Sequence, residues 1–120
     1  MCSSYLIIED DKVINDYIGT VIGSKGAAVY KAYNTKDALG YLKNFNLEID
    51  YILLDFSLPS THASVVMDLI RNLRSDVKVF LVSGYDIDYI SKQFPVNEIE
   101  GFIQKPFALK DLVNLVLPNV

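Results

Sequence analysis

Five short apolar runs alternate along the chain with five segments whose apolar residues recur at helical spacing. Tyr5–Ile8 is such a run and ends abruptly in Glu9-Asp10-Asp11. Val13, Ile14, Tyr17, Ile18, Val21 and Ile22 then follow a 3.6-residue period, with Gly26 as the stop. Ala27–Ala32 predicts a second strand. Asn34 or Thr35 is placed to cap a helix carrying Ala38, Leu39, Leu42 and Phe45 on one side. Tyr51–Leu54 is a third apolar run, and Asp55 ends it. Val65, Val66, Leu69, Ile70 and Leu73 mark a third helix, and Val77–Val82 a fourth strand. A shorter helix is expected near Ile87–Phe94, stopping before Pro95. Phe102 and Ile103 lie in a fifth strand, and Leu109, Leu112, Val113 and Val116 outline the last helix.

Strands apolar on both faces belong inside a parallel sheet that helices cover on each side. Strict strand–helix alternation points to the same α/β class, and right-handed crossovers leave few topologies open. No repeat, low-complexity stretch or linker interrupts the pattern. The expectation is therefore one domain over residues 1–120, with its core at about 5–117.

Composition narrows the function classes. Of the 120 residues 51% are apolar and 22% charged, which describes a folded chain and excludes a disordered one. Eleven basic residues stand against fifteen acidic ones, for a formal charge of −4. With no basic stripe, nucleic-acid binding is not expected. Cys2 is the single cysteine, so no internal disulfide can form, and it lacks an environment for reactivity. Ser4–Ile8 is too short for a signal peptide, and no run reaches the ~18 apolar residues of a membrane helix. The chain reads as cytoplasmic, without membrane contact.

Candidate chemistry lies at the strand ends, because ligands of open α/β sheets bind beyond the carboxyl ends of the strands. Strand one ends in Glu9-Asp10-Asp11, strand three in Asp55 and strand four in Ser83, while strand five leads into Lys105. Carboxylates crowded at one rim repel one another and call for a cation. Mg²⁺ suits such a set, since it prefers oxygen ligands and often binds a couple of carboxylates with waters and a phosphate. Lys105 adds a second positive charge, and Ser83 a hydrogen-bond donor for a phosphoryl oxygen.

Four motifs carry a resemblance to a known family. Ile7-Ile8-Glu9-Asp10-Asp11, Leu53-Leu54-Asp55-Phe56-Ser57-Leu58-Pro59, Val82-Ser83-Gly84 and Gly101-Phe102-Ile103-Gln104-Lys105-Pro106-Phe107 resemble the signatures of response-regulator receiver domains, the CheY-like superfamily. The motifs occur in order, each at a predicted strand end, over about Tyr5 to Leu117. The resemblance implies a flavodoxin-like (βα)5 fold with a parallel sheet in the order 2-1-3-4-5. It implies that Asp55 accepts a phosphoryl group from a histidine kinase or histidine phosphotransfer protein. Asp10, Asp55 and the backbone carbonyl of Ser57 would ligate Mg²⁺ directly, and Glu9 through a water. Lys105 would pair with the phosphoryl group. Ser83 would move to bond it, and Phe102 would follow that movement, so that the fourth helix, fifth strand and fifth helix present a changed face to a downstream protein. A cis Lys105–Pro106 bond is also implied.

Plainer readings stand beside these. Asp55 can serve as a loop aspartate capping the next helix, and Glu9 and Asp10 can serve helix capping and the helix dipole. Asp11 reads as the solvated helix start. His62, the only histidine, has no metal-ligand partner at suitable spacing and reads as a loop residue. The eight tyrosines look like packing. The loop Ser60-Thr61-His62-Ala63 lacks a glycine often found near its end in the family. Ser57 and Tyr85 occupy the variable positions flanking the site, and Tyr85 is bulky enough to restrict water and slow self-dephosphorylation.

Two other functions compete. Haloacid-dehalogenase-like phosphohydrolases generally carry a second aspartate two residues after the first, where this chain has Ser57. An unphosphorylated pseudo-receiver would have no need of the set Glu9, Asp10, Asp55, Ser83 and Lys105. The chain is not expected to be a metabolic enzyme, since it would catalyse only its own modification. No output domain is expected after Pro118-Asn119-Val120, and a stand-alone regulator, a phosphorelay intermediate and a receiver of a hybrid histidine kinase all fit the sequence.

Overall fold

The alternation read from the sequence takes the form β1 (Ser4–Ile8), α1 (Lys12–Ser24), β2 (Ala28–Ala32), α2 (Thr35–Lys43), β3 (Tyr51–Asp55), α3 (Ala63–Leu73), β4 (Lys78–Ser83), α4 (Ile87–Ser91), β5 (Gly101–Gln104) and α5 (Leu109–Val116). The computed structural model describes residues 3–57, 62–92 and 94–117. The expectations that fell on Cys2, on Leu58 to Thr61 and on Pro118 to Val120 lie outside the described residues.

The five strands form one parallel sheet in the order β2-β1-β3-β4-β5, the order the resemblance implies. Each strand is joined to the next through a helix, so the side chains divide between two faces with period two. On one face Ile18 and Ile22 of α1 and Leu112 and Val116 of α5 cover Tyr5, Ile7, Leu53 and Phe80. On the other, residues of α2, α3 and α4 cover Leu6, Ile8, Ile52, Leu54, Val79 and Leu81. The first face holds a ladder of rings, with Tyr5 stacked on Tyr51 at 4.8 Å and Tyr51 tilted against Phe80 at 5.8 Å. The Tyr5 hydroxyl donates to the Val116 carbonyl at 2.6 Å, tying β1 to the end of α5.

Short polar side chains start the helices. Asp11 accepts from the Val13 and Ile14 amides, Asn34 from the Asp37 amide and Asp86 from the Tyr89 amide. Each satisfies donors that the first helical turn leaves unpaired. Helix α1 runs to Ser24, and Gly26 follows at φ +92°.

Several sequence expectations need correction. Phe45 does not join the buried side of α2: the helix ends at Lys43, and Phe45 is 68% exposed. The cause is Arg74, whose guanidinium donates to the carbonyls of Leu42, Asn44 and Leu47 and lies 5.3 Å from the Phe45 ring. Those bonds satisfy a non-helical backbone and turn the ring outward. Val13, Tyr17 and Val65 are also exposed, because the buried stripes run through Asn15, Ile18, Gly19 and Ile22 on α1 and Ala63, Val66, Met67 and Ile70 on α3. The fourth helix stops at Ser91 and does not reach Phe94, which is buried against the Phe56 ring. A short 3₁₀ turn, Val96–Glu98, follows Pro95.

Candidate functional site

Register brings the acidic residues together. Ile7 lies beside Leu53 and Ile8 beside Leu54 in the β1–β3 pairing, so one further step sets Glu9 alongside Asp55. Both are 3% exposed, while Asp10 stays exposed at the rim. Oxygens of Glu9, Asp10 and Asp55 all lie within 4.8 Å of one another. Lys105 reaches the cluster from beyond β5, with its Nζ 2.7 Å from Glu9 Oε1 and 3.7 Å from Asp55 Oδ2. Its backbone N–H donates to the Ser83 carbonyl at 2.6 Å, and the Lys105–Pro106 peptide bond is cis.

The electrostatics of this cluster follow from burial. Removal from water raises the Glu9 carboxyl to about 7, and the adjacent Asp55 carboxylate adds to the rise against the opposing pull of Lys105. Burial works in the other direction on the Lys105 ammonium, yet its hydrogen bond to Glu9 and the charge of Asp55 outweigh that and raise its pKa. One ammonium stands among three carboxylates, so the cluster is short of positive charge. An all-oxygen donor set with that deficit fits a hard divalent cation.

The remaining predicted residues surround this centre. The Ser57 N–H donates to Asp55 Oδ1 at 3.0 Å, which leaves Oδ2 turned toward Lys105. Ser83 is fully buried at the end of β4, and its Oγ accepts from the Tyr85 N–H at 2.8 Å. Phe102 is paired with Leu81 across β4 and β5, and Ser83 lies two residues beyond Leu81. By strand periodicity, Phe102 and Ser83 therefore share one face of the sheet. Phe102 packs partly buried against the core on that face. The Tyr85 ring stacks on Tyr89 at 4.5 Å and meets Phe56 edge-on at 6.1 Å. His62 is exposed at the start of α3 and caps it with no side-chain bond.

One residue of this region escaped the sequence reading. Asn15, on α1, is fully buried and donates from Nδ2 to the carbonyls of Glu9 and Ala32, each at 3.0 Å. The available signal was its phase, since Asn15 lies on the same stripe as Ile18 and Ile22 and so puts an amide where an apolar residue is the rule. A groove of about 830 Å³ lies at the opposite edge of the sheet, lined by residues such as Asp50, Arg74 and Lys78, and takes no part in the cluster. No helix among the described residues is long and apolar enough to cross a membrane.

Comparison with known proteins agrees with this geometry. The family model described as "Response regulator receiver domain" matches residues 5–117. The sensor kinase CckA of Brucella abortus (strain 2308) is 27% identical over 114 residues, which make up 95% of this chain and 12% of the kinase. The chain therefore spans only a small part of that relative. The crystal structure of a CheY-like receiver domain protein from Methanospirillum hungatei JF-1 matches with a TM-score of 0.86 at 24% identity, covering 98% of this chain and 93% of that one. The response regulator TrrA of Thermotoga maritima, solved in complex with Mg(2+)-BeF, matches with a TM-score of 0.80 at 21% identity over 98% of this chain and 99% of its own.

Proposed function

The chain belongs to the response regulator receiver domain family of two-component signalling, and from that premise we propose that Asp55 accepts a phosphoryl group from a histidine kinase or histidine phosphotransfer protein. The reaction depends on Mg²⁺ held by Glu9, Asp10, Asp55 and the Ser57 carbonyl. The observation that carries this reading is the meeting of three carboxylates with the Lys105 ammonium around a buried aspartate.

Each side chain has a role that its surroundings support. Asp55 Oδ1 is engaged by the Ser57 amide, which orients the carboxylate for attack on phosphorus as the donor's N–P bond breaks. Lys105 offsets the charge of the arriving phosphoryl oxygens and then pairs with the aspartyl phosphate. Ser83 accepts from the Tyr85 amide, so its hydroxyl proton is available for a phosphoryl oxygen. A divalent cation held by these residues would supply positive charge beyond that of Lys105, while Ser83 supplies only a hydrogen-bond donor.

Phosphorylation then alters a surface. When Ser83 turns toward the phosphoryl group, it leaves space on the sheet face it shares with Phe102, and a Phe102 movement carries the change to α4, β5 and α5. A downstream protein reads that face. We take residues 1–120 as one receiver domain with its core at about 5–117. The likeness to a sensor kinase supports a place in a hybrid histidine kinase beside that of a stand-alone regulator. A histidine kinase or phosphotransfer protein as donor supports a cytoplasmic location for the reaction.

The test is incubation with acetyl phosphate and Mg²⁺, followed by intact mass and by acid-labile phosphate analysis. One phosphoryl group per chain is expected, and none when Mg²⁺ is left out of the reaction or in Asp55→Asn. A chain that stays unlabelled by every donor overturns the proposal, and sustained turnover of small phosphate esters would replace it with a phosphohydrolase.

A further inference from the structure

Asn15 supplies an interaction that the acidic loop cannot make for itself. The Glu9 carbonyl belongs to the peptide that leads into Asp10, and the plane of that peptide sets the direction in which the Asp10 side chain leaves the chain. Asn15 Nδ2 donates to this carbonyl at 3.0 Å and, with its second proton, to the Ala32 carbonyl at 3.0 Å, with the Ile7 carbonyl at 3.5 Å behind them. The Glu9 N–H donates to the same Ala32 carbonyl at 3.0 Å. The peptides on both sides of Glu9 are thereby tied to the end of β2.

Asn15 is also held from its own side. Its N–H donates to the Asp11 carbonyl at 2.9 Å, and Asp11 caps the helix with its side chain. The loop of Glu9, Asp10 and Asp11 is therefore closed into a ring by α1 and Asn15. The other amide atom gives a second, independent indication. Asn15 Oδ1 is buried without a hydrogen-bond partner, and no other buried side-chain oxygen or nitrogen among the described residues lacks one. A leucine at this place would spare the orphaned Oδ1, which natural cores rarely tolerate, but would take from the Glu9 carbonyl the bond that Asn15 gives it. What a leucine cannot do is donate to two carbonyls. The cost of the unpaired oxygen is carried for the sake of the two donors, and locally unfavourable choices of this kind concentrate where function demands them.

We infer that Asn15 is a positioning residue, which fixes the Glu9–Asp10 peptide and thereby holds the Asp10 carboxylate in place for a divalent cation shared with Glu9 and Asp55. Asn15 touches neither cation nor phosphoryl group and acts through the backbone. The inference rests on the proposed reading of the acidic cluster as a Mg²⁺ site and adds to it the residue that shapes the site.

The test compares Mg²⁺ binding by calorimetry in the wild type, Asn15→Leu and Ile22→Val, a core variant away from the loop, each with its urea stability measured. Outer partners of metal ligands typically contribute about 10- to 100-fold in affinity. Asn15→Leu is expected to weaken Mg²⁺ binding by about tenfold or more, while Ile22→Val loses stability and keeps the wild-type Kd. Wild-type Kd in Asn15→Leu overturns the inference and leaves the metal site standing, whereas a wild type that binds no Mg²⁺ overturns both. Should Asn15→Leu fail to fold, wild-type NMR decides. The Asn15 side-chain amide protons are expected to exchange slowly and to shift during a Mg²⁺ titration with the same Kd as the Asp10 amide; rapid exchange or unmoved resonances would overturn the inference.

Discussion

Lys105 stands 2.7 Å from Glu9 Oε1 but 3.7 Å from Asp55 Oδ2, so its closer partner is the acid at the end of β1 and not the proposed acceptor. Lys105 thus holds Glu9 against its own burial while remaining within reach of Asp55. Lys105→Met separates two effects. Loss of the ammonium removes a charge that repels a divalent cation, so Mg²⁺ is expected to bind a few-fold more tightly, up to about tenfold. Phosphorylation by acetyl phosphate should fall by at least about tenfold, because the arriving oxygens lose their fixed cation. Weaker Mg²⁺ binding in this variant would show that Lys105 organises the carboxylates and does not compete for them.

Glu9 makes metal-free stability depend on pH. Its folded-state carboxyl titrates at about 7 against an ordinary value of 4.5. Between those values the folded protein keeps a proton that the unfolded chain has released, so the free energy of unfolding falls as pH rises. The contribution is complete below about pH 4.5 and lost once pH passes about 7, and it amounts to roughly 3 kcal/mol. Urea unfolding in EDTA across this range, for wild type and Glu9→Gln, should give a difference that follows this course. Parallel profiles would remove Glu9 as the cause.

Tyr85 is held by two rings, stacked on Tyr89 at 4.5 Å and edge-on to Phe56 at 6.1 Å, and its N–H donates to Ser83 Oγ. If Asp55 carries the phosphoryl group as proposed, a ring restrained there would limit the approach of water to it. Tyr85→Ala should therefore shorten the phosphoryl lifetime several-fold, followed as loss of labelled protein in a chase. An unchanged decay assigns the ring to packing alone.

Gly101 and Gly40 should respond to alanine in opposite directions. A Cβ on Gly101 would meet Leu115 Cδ1 at 2.7 Å and the Phe80 ring at 3.1 Å, so the Leu115 side chain must turn aside and the ring must give by a few tenths of an ångström. Gly101→Ala is expected to cost about 1–3 kcal/mol by overpacking. Around Gly40, inside α2, nothing lies within 4 Å of the new methyl, and Gly40→Ala should gain roughly 0.5–1 kcal/mol from helix propensity. Chemical denaturation of both variants measures the contrast. Equal effects would contradict the close packing of α5 on β5.

The pattern of local residues carried most of the fold. Strand cores such as Tyr51–Leu54 are apolar on both faces, Asp11 and Asn34 cap the helices they precede, and the polar residues that end each apolar run stand at the carboxyl rim of the sheet. These features were legible because strand periodicity, capping and strand termination depend on neighbours in sequence. Phe45 was misread because its place depends on Arg74, a residue of another helix boundary that captures the loop carbonyls.

What the amino-acid order alone determined is which groups arrive at the ends of the strands: Glu9, Asp10, Asp55, Ser83 and Lys105. Only the tertiary structure decided that Lys105 leans on Glu9, that Glu9 is buried enough to titrate at about 7, and that Asn15 binds the Glu9 and Ala32 carbonyls. The reason is physical. Hydrogen-bond partners and dielectric surroundings are set by distances between segments remote in sequence, and no local pattern of residues encodes those distances.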